Sequence, residues 1–87
     1  MNIKENEIKK FIVNYLEKKG KISKDIDIDN LKYIETGYID SIGIVKFIIE
    51  LEEKFDIQIL EEDILSEEFK TVKGLVNIIN KKCKILS

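Results

Sequence analysis

The sequence Gly37-Tyr38-Ile39-Asp40-Ser41-Ile42 leads directly into an apolar segment that runs from Gly43 to Phe55. Asp is a preferred residue at a helix start, because its carboxylate accepts hydrogen bonds from the free backbone N–H groups of the first turn. Ser41 follows at a position where those donors and the helix dipole favour a negatively charged group. The stretch therefore predicts a helix that begins near Asp40 and offers the Ser41 hydroxyl as an attachment point for a phosphodiester.

The position of Ser41 alone leaves two roles open. Serine near a helix start commonly does no more than satisfy a free N–H group, and attachment of a charged group is the second possibility. A nucleophile elbow is excluded, because Ile39 stands where the first glycine of that motif belongs and the chain has no histidine to act as base.

The segment after Ser41 carries more apolar residues than one face of a helix can hold. One set keeps the spacing of a face packed against other helices: Ile44, Phe47, Ile48, Leu51 and Phe55. A second set, which we call the apolar strip, lies on an adjacent face with the spacing i, i+3, i+7: Ile42, Val45 and Ile49. The pattern fits equally a helix buried on two sides and a helix with an exposed strip that binds partners.

The remaining chain also favours helices. The expected elements are a helix over about 4–19, a loop over 20–40, a helix over about 41–55, a short helix over about 61–66 and a helix over about 72–83. The first is amphipathic and its inner face is Ile8, Phe11, Ile12, Tyr15 and Leu16, with Gly20 as its stop. The loop is expected to be pinned to the core by Ile22, Ile26, Ile28 and Leu31. One short turn near Asn30 is favoured there over a brief strand.

The late elements carry specific expectations. Ile64 and Leu65 of the short helix should point inward, and Thr71 should cap the last helix. The core positions of that helix would be Val72, Leu75, Val76, Ile78 and Ile79, and the tail from Lys81 should fray. The whole chain, 1–87, is then one all-α domain, a small four-helix bundle with three main helices, one short helix and a long first loop.

Composition excludes several function classes. All 15 basic residues are lysine and nearly balance 17 acidic residues, so no arginine-rich nucleic-acid surface exists. Without histidine there is no Ser-His or Cys-His pair, and with Cys83 alone no internal disulfide or multi-cysteine zinc site can form. No apolar run approaches the ~20 residues of a membrane span, and the start is charged where a signal peptide is apolar. A cytoplasmic monomer without a metal site is expected.

Two acidic groups suggest rival sites. Asp25, Asp27, Asp29 and Asn30 are spaced somewhat like a calcium loop, but Asn30 and Thr36 stand where that loop needs glycine and glutamate. Solvated loop residues or helix caps are favoured. A second group could suggest paired catalytic carboxylates: Glu50, Glu52, Glu53, Glu61, Glu62 and Asp63. A solvated acidic face that attracts basic partner surfaces is favoured.

The segment Leu31 to Ile79 resembles the acyl carrier protein family. The family's attachment motif, Asp-Ser followed by a large apolar residue, matches Asp40-Ser41-Ile42. The stretch Leu51-Glu52-Glu53-Lys54-Phe55-Asp56-Ile57-Gln58-Ile59 looks like the family's helix end and exit loop. Thr71-Val72 then opens a last helix at the expected distance.

The resemblance implies a function. A phosphopantetheinyl transferase would move 4′-phosphopantetheine from coenzyme A onto Ser41, and Asp40 would cap the helix and help to hold the metal ion during transfer. The arm would carry an acyl or aminoacyl group as a thioester, supplied by a loading ligase and passed to acyl-processing enzymes of fatty-acid, polyketide or related biosynthesis. The chain would have no catalytic residues of its own. The implied partner-binding residues are Ile42, Val45, Lys46, Ile49, Glu50 and Glu53, with Glu52 also available to basic partners.

The chain departs from the pattern of fatty-acid carriers at two positions, which leaves secondary-metabolite, peptide-synthesis and cell-wall D-alanylation roles open as well. Similar fatty-acid carriers usually have acids where this chain has Gly43 and Lys46, and carriers for D-alanylation tend to have a late tryptophan that is absent here. An alternative of another class is an unmodified helical adaptor or dimerisation module that uses the apolar strip. Mass analysis after incubation with coenzyme A and a transferase separates the two.

Overall fold

A computed structural model describes residues 3–23 and 25–86, with side chains described for 5–23 and 25–83. The elements are α1 (Ile3–Lys19), a first 3₁₀ turn (Ile28–Asn30), α2 (Gly43–Phe55), α3 (Glu61–Leu65), a second 3₁₀ turn (Glu67–Lys70) and α4 (Val72–Leu86). These ranges contain no β-strand. The predicted all-α bundle of three main helices and one short helix, with a long first loop, is therefore confirmed. The first 3₁₀ turn is the short turn that was favoured near Asn30 over a brief strand.

The core forms where α1 and α4 pack together and α2 closes over them. Each long helix contributes one face, because residues three and four apart lie one above the other. The fully buried residues of these faces are Ile8, Ile12 and Leu16 in α1, Phe47 and Leu51 in α2, and Val72, Leu75 and Ile79 in α4. Truncating any of these side chains to alanine removes packing worth roughly 2–5 kcal/mol.

The start of α4 depends on two neighbouring residues. Thr71 Oγ1 accepts a hydrogen bond from the Gly74 N–H at 3.1 Å, which confirms the predicted cap. A Cβ atom at Gly74 would lie 2.0 Å from the carbonyl oxygen of Glu68. Position 74 therefore has to be glycine for the second 3₁₀ turn to pack against α4.

The long first loop is attached to the core by an aromatic residue. Tyr33 is fully buried, and its hydroxyl donates a hydrogen bond to the carbonyl of Phe69. Burial raises the pKa of Tyr33 well above its ordinary value, so the phenol stays protonated. The Val72 N–H also donates to the Leu31 carbonyl at 3.2 Å. Leu31 is buried as predicted, whereas Ile26 is exposed, so the prediction that Ile26 pins the loop is wrong.

A further sequence prediction, that Leu65 points inward, is wrong. Leu65 is 74% exposed, and Ile64 alone packs against the core from α3. Consecutive residues lie about 100° apart around a helix, and α3 turns only the side that carries Ile64 towards the core. The last helix, α4, continues to Leu86, beyond the predicted end near position 83, and the fraying of the tail from Lys81 stays a prediction. Cys83 is buried one turn beyond Ile79, on the same helix face.

Candidate functional site

The start of α2 is capped by Asp40. Its Oδ1 accepts a hydrogen bond from the Gly43 N–H at 2.6 Å, and its carbonyl oxygen accepts one from the Ile44 N–H at 2.9 Å. The regular helix begins at Gly43, two residues later than predicted, but these bonds make Asp40 the residue that closes the first turn.

Ser41 lies directly after this cap and is exposed. Its hydroxyl makes no hydrogen bond to any part of the chain that the structure describes. Asp40 therefore performs the capping that the sequence alone could have assigned to Ser41. What remains at position 41 is a primary hydroxyl open to solvent beside the positive end of a helix, a fitting acceptor for a phosphodiester.

The turn before Ser41 is anchored to the rest of the chain by hydrogen bonds and by one buried side chain. Gly37 has a φ of 87°, a conformation that glycine adopts without strain. Ile39 is buried and its N–H donates to the Tyr33 carbonyl at 3.2 Å, while the Tyr38 hydroxyl donates to the Lys21 carbonyl at 3.0 Å. These contacts fix the chain on the core side and leave Asp40 and Ser41 at the surface.

The apolar strip is exposed. Ile42 is 84% exposed, Val45 is 58% exposed and Ile49 is 48% exposed. The other apolar set of α2 is buried or packed against the core, as in Phe47 and Leu51. Of the two structures that the sequence left open, α2 adopts the one with a single buried face. Binding of partners by the strip remains a prediction.

Charged residues flank the strip. Lys46 and Glu53 are exposed, and Glu50 is half-buried beside Tyr15. Burial is the main reason why the pKa of Tyr15 is raised, and a hydrogen bond with Glu50 and the negative charge of Glu50 raise it further. Binding of partners by Lys46, Glu50 and Glu53 stays a prediction.

Glu52 has a structural role that the sequence did not predict. Its Oε2 accepts a hydrogen bond from the Ile59 N–H at 2.9 Å, and its carbonyl oxygen accepts one from the Ile57 N–H at 3.2 Å. Binding of basic partners by Glu52 stays a prediction, since the bond with the Ile59 N–H engages only one of its two carboxylate oxygens. No spacing pattern in the sequence distinguishes it from Glu50 or Glu53, since only the fold brings Ile59 to it.

A cavity of about 310 Å³ opens beside Ser41, and we call it the Ser41 cavity. Most of its lining is apolar and comes from Ile34, Ile44, Ile64 and Phe69. The other lining residues are Glu35, Asp40, Ser41 and Lys70. The lining comes from two separate stretches of the chain, 34–44 and 64–70, which is why no local pattern revealed the cavity. Its apolar surface suits a hydrocarbon group better than a charged one.

The position of α3 over this cavity depends on Asp63. The Asp63 carboxylate accepts a hydrogen bond from the Leu60 N–H at 2.8 Å and forms an ion pair with Lys82 of α4 at 2.7 Å. Partial burial by itself would raise the pKa of Asp63, but the hydrogen bonds from Lys82 and Leu60 outweigh it, so the pKa lies below its ordinary value. Asp63 thus joins the short helix to the long one.

The acidic residues of the first loop have ordinary structural contacts. Asp27 accepts a hydrogen bond from the Asn30 side chain at 2.7 Å, and Asp29 forms an ion pair with Lys9 at 2.7 Å. Across 3–23 and 25–86, no three His, Cys, Asp or Glu residues are grouped as a metal site. None of the helices in these ranges is both long and apolar enough to cross a membrane.

A helical domain with a free serine hydroxyl at a helix start, next to an exposed apolar strip and an apolar cavity, is suited to carry a covalently attached group. A family model described as "Phosphopantetheine attachment site" matches residues 12–79. An acyl carrier protein of Buchnera aphidicola is 36% identical over 84 residues, covering 97% of this chain and 99% of the relative. An acyl carrier protein of Chlorobium phaeobacteroides is 33% identical over 78 residues, covering 90% of this chain and 97% of the relative.

An acyl carrier protein homolog of Mycoplasmopsis pulmonis is 32% identical over 77 residues, covering 88% of this chain and 97% of the relative. No solved structure gave a match. The chain belongs to the acyl carrier protein family, whose members carry covalently attached 4′-phosphopantetheine. The family resemblance seen in the sequence is therefore confirmed, and the unmodified adaptor loses its support.

Proposed function

We propose that Ser41 is the residue that carries the 4′-phosphopantetheine, and that the chain presents acyl groups, bound as thioesters, to enzymes of fatty-acid, polyketide or related biosynthesis. The observation that carries the proposal is the free, exposed Ser41 hydroxyl next to a helix cap made by another residue. When bound, the prosthetic group supplies a flexible arm that ends in a thiol.

The modification is a transfer of the phosphopantetheinyl group from coenzyme A. The Ser41 oxygen forms a bond to phosphorus, the bond from that phosphorus to the leaving 3′,5′-ADP breaks, and the hydroxyl proton passes to a base on the transferase. Asp40 uses one carboxylate oxygen for the Gly43 N–H. Its second oxygen is then available to the metal ion that the transferase brings, so Asp40 would both orient the first turn and help to hold the donor.

The Ser41 cavity supports an acyl cargo in preference to an aminoacyl one. Its side-chain lining is largely aliphatic and aromatic, as at Ile34, Ile64 and Phe69. Each methylene group that leaves water contributes about 0.8 kcal/mol, whereas burial of an ammonium group without a partner is costly. A loading ligase for carboxylic acids and acyl-processing enzymes are the partners that this cargo requires.

Intact mass spectrometry tests the attachment site. The chain is incubated with coenzyme A and a promiscuous phosphopantetheinyl transferase, and the expected product carries one added phosphopantetheinyl group. Ser41→Ala should fold normally, as judged by circular dichroism, and gain no mass. Ser23→Ala is the matched control, because Ser23 is also exposed but lies in the first loop, and it should be modified like the wild type. Modification of Ser41→Ala would refute the assignment.

A further inference from the structure

One lysine on the exposed face of α2 has no partner within the described part of the chain. Lys46 is exposed and forms no ion pair there. Other lysines around the site differ. Lys70 is held by Glu67 at 2.9 Å, and the ammonium of Lys54 lies 6.0 Å from the centre of the Phe11 ring. Lys46 is therefore the cation that α2 leaves available beside Ser41.

The position of Lys46 on α2 places it within the face that the apolar strip occupies. At about 100° per residue, Lys46 lies about 40° around the helix from Ile42, and Glu53 lies about 20° from Ile42. Lys46 and Glu53 are separated by seven residues, or about 10 Å along the axis. The exposed face thus has a positive charge near Ser41, apolar side chains in the middle and a negative charge at its far end.

Helix stability does not account for this order of charges. The helix dipole favours acids at the start of a helix and lysines at its end, which is the reverse of Lys46 followed by Glu53. A lysine that precedes glutamate by four residues, as Lys46 precedes Glu50, is also the weaker orientation of a helical ion pair. Lys46 and Glu53 can therefore interact with molecules that bind the exposed face of α2.

We propose that Lys46 selects the protein partners of this carrier. The partners would place a carboxylate next to the entrance of their active site, an apolar depression opposite Val45 and Ile49, and lysine or arginine opposite Glu53. Electrostatic complementarity of this kind sets partner choice and association rate, and a like charge opposite Lys46 is unfavourable. The inference rests on the proposed function, because the entrance meets Lys46 only if the docked enzyme reaches Ser41.

The test uses a phosphopantetheinyl transferase whose entrance is lined by lysine and arginine, together with versions in which each of these residues is replaced by glutamate in turn. The rate of modification by coenzyme A is measured for the wild type, Lys46→Gln and Lys46→Glu at low salt. With the basic transferase, Lys46→Glu should raise kcat/KM about fivefold through a lower KM, with Lys46→Gln in between. With one glutamate version the order should reverse. Both effects should shrink in 1 M salt, where charges are screened beyond about 3 Å.

Lys73→Glu is the control, because it makes the same change of net charge at an exposed position of α4, away from α2, and should leave all the rates unchanged. If Lys46→Glu and Lys46→Gln behave like the wild type with every transferase version, Lys46 is an ordinary solvated residue and the inference is wrong. That result is distinct from failure of the proposed function, in which no variant gains phosphopantetheine while an established carrier protein does.

Discussion

At the scale of single residues, the site depends on a division of labour between Asp40 and Ser41. Both are residue types that cap helices, and the sequence alone allowed either to do so. In the structure Asp40 binds the Gly43 N–H, and the hydroxyl of Ser41 is left free. A group attached at Ser41 would therefore extend from the helix start without breaking a hydrogen bond that the fold needs.

Two substitutions of Asp40 separate its structural role from its role in the transfer. Asn can accept the same N–H bond, so Asp40→Asn should keep the stability of the wild type but slow the modification of Ser41, because the negative charge near the metal ion is lost. Asp40→Ala should slow the modification and also lower the free energy of unfolding by about 1 kcal/mol. Urea denaturation and the rate of phosphopantetheine transfer measure the two effects. An Asp40→Asn variant modified at the wild-type rate would show that the charge takes no part.

At the scale of elements, α2 combines a core face with an exposed face. Val45→Asp adds a charge to an exposed position, so its free energy of unfolding should change by less than about 0.5 kcal/mol. Turnover by enzymes that use the carrier should fall, because the charge would have to be desolvated on docking. Thermal unfolding and an acyl-transfer assay measure the two effects.

Phe47→Ala is the opposite case on the same helix and should lower stability by about 3–5 kcal/mol, since Phe47 is fully buried. If Val45→Asp proves as destabilising as Phe47→Ala, the apolar strip belongs to the core and not to a docking surface.

The ion pair between α3 and α4 predicts a dependence of stability on pH. Because the pKa of Asp63 is lower in the folded chain than its ordinary value of 3.8, its contribution is present above that value and is lost as pH falls through the folded pKa. Asp63→Asn keeps an acceptor for the Leu60 N–H but removes the charge that faces Lys82. At pH 7 this variant should be less stable than the wild type by about 1 kcal/mol, since the side chains of Asp63 and Lys82 are half-buried, at 21% and 20% exposure.

The difference between Asp63→Asn and the wild type should shrink steadily at pH values below about 3.8 and vanish once Asp63 is protonated. Urea denaturation at a series of pH values gives the result. Asp29→Asn is the control, because the Asp29–Lys9 ion pair is more exposed and should contribute less. A difference that stays constant down to low pH would mean that the carboxylate charge is not what joins the two helices.

The elements also show what the sequence could predict. Periodicity was sufficient for α1, α2 and α4, because each has one face of regularly spaced apolar residues that a bundle must bury. It failed at Leu65, because a single turn holds too few residues to define a face. It also missed Gly74 and Glu52, whose roles depend on chain segments brought close only by the fold.

The functional site, like the fold, could be predicted only in part from the sequence. Asp40, Ser41 and the apolar strip form one continuous stretch, so their chemistry and spacing could be recognised without coordinates. The Ser41 cavity could not, because Ile34, Ile44, Ile64 and Phe69 come together from separate parts of the chain. The sequence therefore indicated where a group is attached, and the fold was needed to ask which cargo the chain can shelter.

At the scale of the whole molecule, the cargo should act on stability through the Ser41 cavity. A cargo that binds the folded state but not the unfolded chain raises the free energy of unfolding. Chains with two, four, six and eight carbons, loaded as thioesters on the modified protein, should raise the midpoint of thermal unfolding progressively until the cavity is full. A glycyl group should give no such rise, because its ammonium group stays in water.

Ile34→Asp should abolish this dependence on chain length, because it places a charge in the lining of the cavity. Ile26→Asp is the matched control, since Ile26 is 38% exposed and Ile34 is 39% exposed, and Ile26 does not line the cavity. The control should keep the rise in the unfolding midpoint with chain length. If the midpoint is the same for all four acyl chains in the wild type, the hydrocarbon remains in solvent and the cavity gives no preference for acyl over aminoacyl cargo. A rise that disappears only in Ile34→Asp would connect the composition of the cavity to the class of molecule that the protein carries.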